Sequence, residues 1–202
     1  MKLSKEDRSS AHPVVILANG ASKRFGRPKS EARLGEKTLI EWVFERMRSQ
    51  TNAPILINAN APIKTAPDAP YLPDLLGPSL GPLAGIHAAV KWATSQGYEA
   101  VATVSVDTPF LPLLLLQRFE QATAPCFASC GGRSHPTIGL WMADSGELLE
   151  EQLAIGNRSV HGWLETCRAK KVDFELEGEI DPFININTTE DLARAAAYLL
   201  AS

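Results

Sequence analysis

The sequence predicts a doubly wound, mostly parallel α/β sheet with helices on both faces. Three observations predict it. Short apolar runs rich in β-branched residues alternate with segments of helical period, the pattern of strand–helix–strand units. One run, AVATVSV at 100–106, reads as a continuous, predominantly apolar strand without a charged residue, as a strand covered on both faces requires. Asn19, Asn58 and Asp107 each stand where such a run stops, and ligands of these sheets bind beyond the carboxyl ends of the strands.

In chain order, VVILA after Pro13 is a strand stopped by Asn19-Gly20. From Leu39 the apolar residues Ile40, Val43, Phe44 and Met47 recur at helical spacing among charged residues. PILINAN is the second strand, closing near Asn58. Residues 61–81 are dense in proline and form a long loop, with room for a short strand, of the kind that usually carries function. LAGIHAAVKWATSQ is a helix, with Pro82 suited to its first turn. After the strand at 100–106 come a helix at 113–122, strands in PCFASC and TIGLWM, and amphipathic helices near 145–153 and 160–167. FINI is expected as a last short strand, and Thr188 as the cap of a helix over 189–201.

A chain of 202 residues suits one domain, here 13–202, with 1–12 as a disordered polar tail. The net charge of -3 offers no footprint for a nucleic-acid backbone. No apolar run is long enough to cross a bilayer, and the first ten residues lack the apolar stretch of a signal peptide, so a cytoplasmic location is expected. Cys126 and Cys130 lie four apart with no second pair at zinc-ligand spacing, which favours reduced, partly buried thiols.

The loop after the first strand, NGASKRFGRPKS, carries Gly20 and Gly26 with Lys23, Arg24, Arg27 and Lys29. Glycines admit a ligand close to backbone amides, and the cations offset phosphate charge. Its spacing fits neither a G-x-G-x-x-G fingerprint nor a P-loop, and a merely solvated basic loop is the alternative. Asp107 reads either as a metal ligand or as the cap of a D-T-P turn.

Leu17-Ala18-Asn19-Gly20, Arg24-Phe25-Gly26 and Lys29 together resemble the opening signature of nucleotidyltransferases, L-A-G-G-x-x-x-R-M-G-x-x-K. Asn58-Ala59-Asn60, Asp74, Gly81-Pro82-Leu83-Ala84-Gly85, Asp107-Thr108-Pro109-Phe110, GRSHPTIG at 132–139, Gly156-Asn157-Arg158-Ser159-Val160 and FININTTEDL extend it. Over nearly the whole chain this order of motifs resembles the molybdenum cofactor guanylyltransferases of the MobA type. Asn19 stands where that family usually has glycine, Pro28-Lys29 where it has Asp-Lys, and Thr189 where it has proline.

The resemblance implies a Rossmann-like fold of the nucleotide-diphospho-sugar transferase type. It implies an enzyme joining GMP from GTP to the terminal phosphate of molybdopterin, with or without molybdenum, and Mg²⁺ as cofactor. Arg24, Lys29 and Asp107 would be catalytic, with Asp107 on the metal. Leu17, Ala18, Asn19, Gly20, Lys29, Asn58, Asp74 and Asp107 would bind GTP, and His135, Arg158 and Asn187 would face molybdopterin. For His135 a purely structural place is the equal alternative. His87, His161 and the tryptophans Trp42, Trp92, Trp141 and Trp163 fit structural positions in helices and core. Other cofactor-biosynthesis proteins or molybdoenzymes are possible partners, and a monomer or small oligomer is expected. The competing readings are a cytidylyltransferase of the same cofactor, another small-substrate nucleotidyltransferase, or a nucleotide-binding regulatory module without turnover.

Overall fold

The computed structural model describes residues 12–19, 29–76, 81–176 and 181–201. Residues 1–11 of the expected tail, Gly20, Arg24 and the rest of the basic loop before Lys29 lie outside them, as does the side chain of Lys29. The tail expected over 1–12 needs correction at its end: His12 is half-buried, and its carbonyl accepts from Thr51 Oγ1 (3.2 Å), which ties it to the loop before β4.

Among the described residues the main sheet has six strands. They are β1 (Val14–Leu17), β4 (Ile55–Asn58), β5 (Ala100–Ser105), β6 (Cys126–Cys130), β7 (Arg133–Met142) and β8 (Lys170–Phe174), in spatial order β4-β1-β5-β7-β6-β8. β1 pairs in parallel with both β4 and β5, and β6 in parallel with β8; β7 alone runs antiparallel, between β5 and β6. A small antiparallel hairpin, β2 (Arg33–Leu34) and β3 (Lys37–Thr38), stands apart from this sheet.

Strand side chains alternate between faces, and each face meets its own helices. Val14 and Ile16 pack with Ile40, Val43 and Met47 of α1 (Leu39–Arg48) and with Leu115, Leu116 and Phe119 of α3 (Leu115–Ala122). Val15 and Leu56 point the other way. They meet Leu83, Ile86 and Val90 of α2 (Pro82–Gln96), Leu149 and Leu153 of α4 (Gly146–Ala154), and Trp163 of α5 (Val160–Thr166). Helices therefore cover both faces, as expected. Each fully buried aliphatic side chain stabilises by about 1.5–3 kcal/mol relative to exposure. A third cluster joins the hairpin's Leu34, Phe110, Ile186 and Ala195 of α6 (Thr189–Ala201).

Two other parts of the sequence reading need correction. FINI is not a strand: Ile184 N–H donates to Asp181 O and Ile186 N–H to Asp107 O, which are turn and anchor bonds rather than a ladder. Its apolar residues are plugs. Phe183 packs on Phe174 and His135, and Ile186 enters the third cluster. The strand beside β6 is instead β8, whose sequence KKVDF hides it by burying only Val172 and Phe174.

The capping expectations hold. Thr188 Oγ1 accepts from Asp191 N–H (3.1 Å), and the Asp191 carboxylate accepts from the N–H groups of Asn187 and Thr188 (both 3.0 Å). α2 begins with Pro82 after Gly81, whose φ of 66° suits glycine. Trp141 and Trp163 are fully buried, Trp42 donates to Leu34 O, and Trp92 stacks on Tyr98. His87 is buried and reaches Glu150 on α4, whereas His161 is exposed. Cys126 and Cys130 are buried, and burial pushes the Cys126 thiol up to about 11.

Candidate active site

Three adjacent parallel strands end side by side. Leu17 is in register with Asn58 on one side and Ser105 on the other. Ala18 N–H donates to Asn58 O (2.9 Å) and Val106 N–H to Leu17 O (3.1 Å), so these groups of Leu17 and Ala18 belong to the ladder. Beyond it the side chains take over.

Asn58 is 1% exposed and fully engaged. Its Nδ2 donates to Leu72 O and to Asp74 Oδ1, both at 2.9 Å, and its Oδ1 accepts from Asn19 Nδ2 at 3.3 Å. Asn60 closes a ring. Its N–H donates to Asn19 Oδ1 (2.7 Å), its Nδ2 donates to Asp74 Oδ2 (3.1 Å), and its Oδ1 accepts from Asp74 N–H (2.9 Å). The loop behind Asp74 is itself tied to β4: Ile57 N–H donates to Pro70 O and Leu72 N–H to Ile57 O, both at 2.9 Å. Tyr71 there forms a lone parallel bridge to Ile57, which stops short of the strand for which the sequence left room. From the other face α2 presents Gly85, where a Cβ would lie 2.5 Å from Asn58 Oδ1. The G-P-L-A-G segment thus contributes a tight approach and no side-chain chemistry at that position.

Asp107 follows β5 on a turn held from two sides. Thr108 donates to Ser105 O through both Oγ1 (2.8 Å) and N–H (3.3 Å), and the Asp107 carbonyl accepts from Ile186 N–H at 2.8 Å. Phe110 meets Tyr198 of α6 edge to face, which fastens the turn to the third cluster. Asp107 is half-buried at the same sheet edge as Asn19 and Asn58, and Asn187 directly follows its anchor Ile186.

His135 reaches this edge from β7. Ser105 Oγ lies 2.8 Å from Thr137 Oγ1, and β7 carries His135 two residues further in the direction in which β5 ends. The imidazole is 5% exposed, tilts against Phe183 (4.9 Å between rings), and has Nε2 3.2 Å from Asp181 Oδ2, out of line for a hydrogen bond. Burial holds its pKa below the ordinary imidazole value, against the pull of Asp181 and with a small push from Arg133. Arg158 is exposed in the turn between α4 and α5. Gly146 packs on Lys91 and Glu150 meets His87 (2.9 Å), so α4 runs antiparallel to α2. That brings the turn to the end of the molecule where α2 begins.

Leu17, Ala18, Asn19, Asn58 and Asp74 therefore form one bonded cluster, with Asp107 one strand away. His135, Asn187 and Arg158 stand on three other elements around the same edge. Asn60 of N-A-N and Gly85 of G-P-L-A-G stand in motifs that assign them no role, and Asp181 stands in no motif. Asn60 was findable from its place two residues after a strand-ending asparagine. Asp181 had no local signal.

The fold is that of nucleotidyltransferases of the nucleotide-diphospho-sugar type. It superposes with a TM-score of 0.60 on 2-C-methyl-D-erythritol 4-phosphate cytidylyltransferase from Thermus thermophilus, at 17% identity over 99% of this chain and 100% of that one, a likeness of fold alone. Within that class the chain belongs to the MobA-like NTP transferase domain family, whose model matches residues 14–171. It is 40% identical to the molybdenum cofactor guanylyltransferase of Rhizobium leguminosarum bv. trifolii, over 93% of this chain and 92% of that protein. Among solved structures it resembles molybdopterin-guanine dinucleotide biosynthesis protein A from Archaeoglobus fulgidus, with a TM-score of 0.72, 26% identity and coverage of 94% and 100%.

Proposed function

We propose that this chain transfers GMP from GTP to the terminal phosphate of molybdopterin, forming the guanine-dinucleotide cofactor and pyrophosphate. The observation that carries the reading is the convergence of Asn19, Asn58 and Asp107 on three adjacent strand ends, in a chain 40% identical to a protein of that name. A phosphate oxygen of molybdopterin attacks the α-phosphorus of GTP in line. The new oxygen–phosphorus bond forms as the bond to the bridging oxygen breaks, and pyrophosphate leaves with that oxygen. A phosphate monoester is already largely ionised near neutral pH, so positioning and charge neutralisation suffice.

Asp74 contacts base or ribose, with Leu17, Ala18, Asn19 and Gly20 along the nucleotide. Asn58, expected to contact it too, is 1% exposed with its amide hydrogens taken by Leu72 O and Asp74 Oδ1, and so holds Asp74 in place. Arg24 and Lys29 meet the triphosphate and stabilise the departing pyrophosphate. His135, Arg158 and Asn187 line the molybdopterin side. Asp107 would hold Mg²⁺. The described residues contain no cluster of three or more His, Cys, Asp or Glu that could cage a metal. A single half-buried carboxylate at the strand ends fits a cation that takes its other ligands from water and substrate phosphates. Bound there, the ion would offset charge on the phosphates.

No helix among the described residues is long and apolar enough to cross a membrane. Pyrophosphate release with molybdopterin, Mg²⁺ and either GTP or CTP tests the reading. GTP should support turnover, CTP much less, and Asp107→Asn should abolish it without loss of fold. Equal rates with both nucleotides would remove the guanine assignment, and near-normal activity of Asp107→Asn would leave that residue as a turn cap.

A further inference from the structure

We infer that Ser105 and Thr137 bind the attacking phosphate of molybdopterin, offering it one O–H donor from a pair of touching hydroxyls. The inference rests on the guanylyltransferase reading above and adds two residues to its molybdopterin side.

The sheet sets their place. Leu17 is in register with Asn58 on β4 and with Ser105 on β5, and residues in register on parallel strands project to the same face. Thr103 is in register with Gly139, and one alternation further Ser105 Oγ and Thr137 Oγ1 meet at 2.8 Å. Asn58, Leu17, Ser105 and Thr137 therefore form a row along the strand ends, on the face that α2 and α5 cover. Gly85 of α2 closes over Asn58 and Leu17. Ser105 and Thr137 are left half-buried. Asn58 and its partner Asp74 mark the nucleotide end of the row. At the other end Trp163 of α5 packs on Trp141 (6.4 Å between rings), which shares strand and face with Thr137. The turn bearing Arg158 leads into that helix, and Asp107 follows Ser105 by two residues. The hydroxyl pair thus stands beside Asp107, toward the side assigned to molybdopterin.

Counting hydrogens shows what the pair can offer. A hydroxyl donates once and can accept twice. One alternation back, Thr103 is fully buried and its hydroxyl works in both senses, donating to Thr137 O (2.8 Å) and accepting from Trp141 Nε1 (2.7 Å). Between Ser105 and Thr137 one hydroxyl donates to the other, whichever way round, so the second hydrogen has no acceptor among the described residues. The ionised phosphate of a monoester presents strong acceptor oxygens, and a hydrogen bond to a charged group is stronger than a neutral one. A pair that only staples two strands together would contribute to stability alone.

Ser105→Ala/Thr137→Val removes both hydroxyls and keeps a branched side chain suited to a strand, whereas Thr137→Ser keeps both hydroxyls. Steady-state kcat and KM for molybdopterin, GTP dissociation constants by calorimetry, and melting temperatures are compared. The double variant should raise KM for molybdopterin about tenfold, the loss of one hydrogen bond to a charged group. Each single variant, Ser105→Ala or Thr137→Val, retains one hydroxyl without the partner that orients it and should raise KM about threefold. Thr137→Ser should stay near the wild-type value, and GTP binding should not change in any variant. A double variant with the wild-type KM for molybdopterin overturns the inference, as does Thr137→Ser impaired as much as Thr137→Val. Should the double variant fail to fold, wild-type KM in both single variants overturns it. Wild-type protein that releases no pyrophosphate from GTP and molybdopterin overturns the functional reading and this inference together. Wild-type turnover beside variants with unchanged KM overturns the inference alone.

Discussion

Gly85 lies against the amide of Asn58 so closely that a Cβ on it would stand 2.5 Å from Asn58 Oδ1 and 2.7 Å from Leu17 Cδ2. Helix α2 thus closes on two strand ends at once. The amide it touches is buried and bonded to Asn19, Leu72 and Asp74, so it has little freedom to withdraw.

Gly85→Ala is therefore expected to harm both stability and nucleotide binding. Alanine gains about 1 kcal/mol over glycine in a helix interior. Overpacking a filled site costs about 1–3 kcal/mol and forces neighbours off their positions. The net melting temperature should fall, and GTP affinity should fall with it because Asn58 is displaced. Thermal denaturation beside GTP titration checks this. A variant that melts higher and binds GTP normally would mean that α2 shifts freely and does not brace Asn58.

The strand ends were legible because they are punctuated. Asn19, Asn58 and Asp107 each interrupt an apolar run, and periodicity alone places them at one edge of a parallel sheet. The ring that joins Asn19, Asn58, Asn60 and Asp74 was not legible, because its bonds span 14 to 41 residues and depend on register. β8 escaped because an edge strand buries one face and KKVDF shows only two apolar residues. FINI misled for the opposite reason. It is apolar because Phe183 and Ile186 plug two cores from a loop, and hydrophobic pattern reports burial before backbone pairing.

His135 should make the protein less stable in mild acid. Burial lowers its pKa in the folded state, while Asp181 pulls the other way and Arg133 adds to the lowering. The unfolded chain then binds the proton more readily. Stability is full above the unfolded value of about 6.5 and declines as pH falls below it toward the depressed folded value. His12 is lowered by burial too and acts in the same direction, so the contrast needs a variant. His135→Gln should flatten the fall in melting temperature between about pH 8 and about pH 5, leaving the part that His12 supplies. An unchanged pH slope in His135→Gln would assign the whole dependence to other groups.

Lys29→Ala should be severe for catalysis and mild for folding. Lys29 opens a short 3-10 turn over Lys29–Glu31, and the burial that anchors this stretch belongs to Ser30 and Ala32, at 3% and 0% exposure. A cation whose partner is a substrate phosphate contributes nothing to the free protein. The melting temperature without nucleotide should therefore stay close to the wild-type value. With GTP present, binding stabilises the wild type by about 2.7 kcal/mol at a hundredfold excess over the dissociation constant. The variant should lose much of that shift. Its kcat/KM should fall steeply, because charge builds on the departing pyrophosphate. Lys29→Arg should recover only part of the rate, since the planar guanidinium does not reproduce a compact ammonium. The decisive comparison is melting temperature against kcat/KM in each variant. A large drop in melting temperature with near-normal kinetics would place Lys29 in the fold's support and move the phosphate site elsewhere.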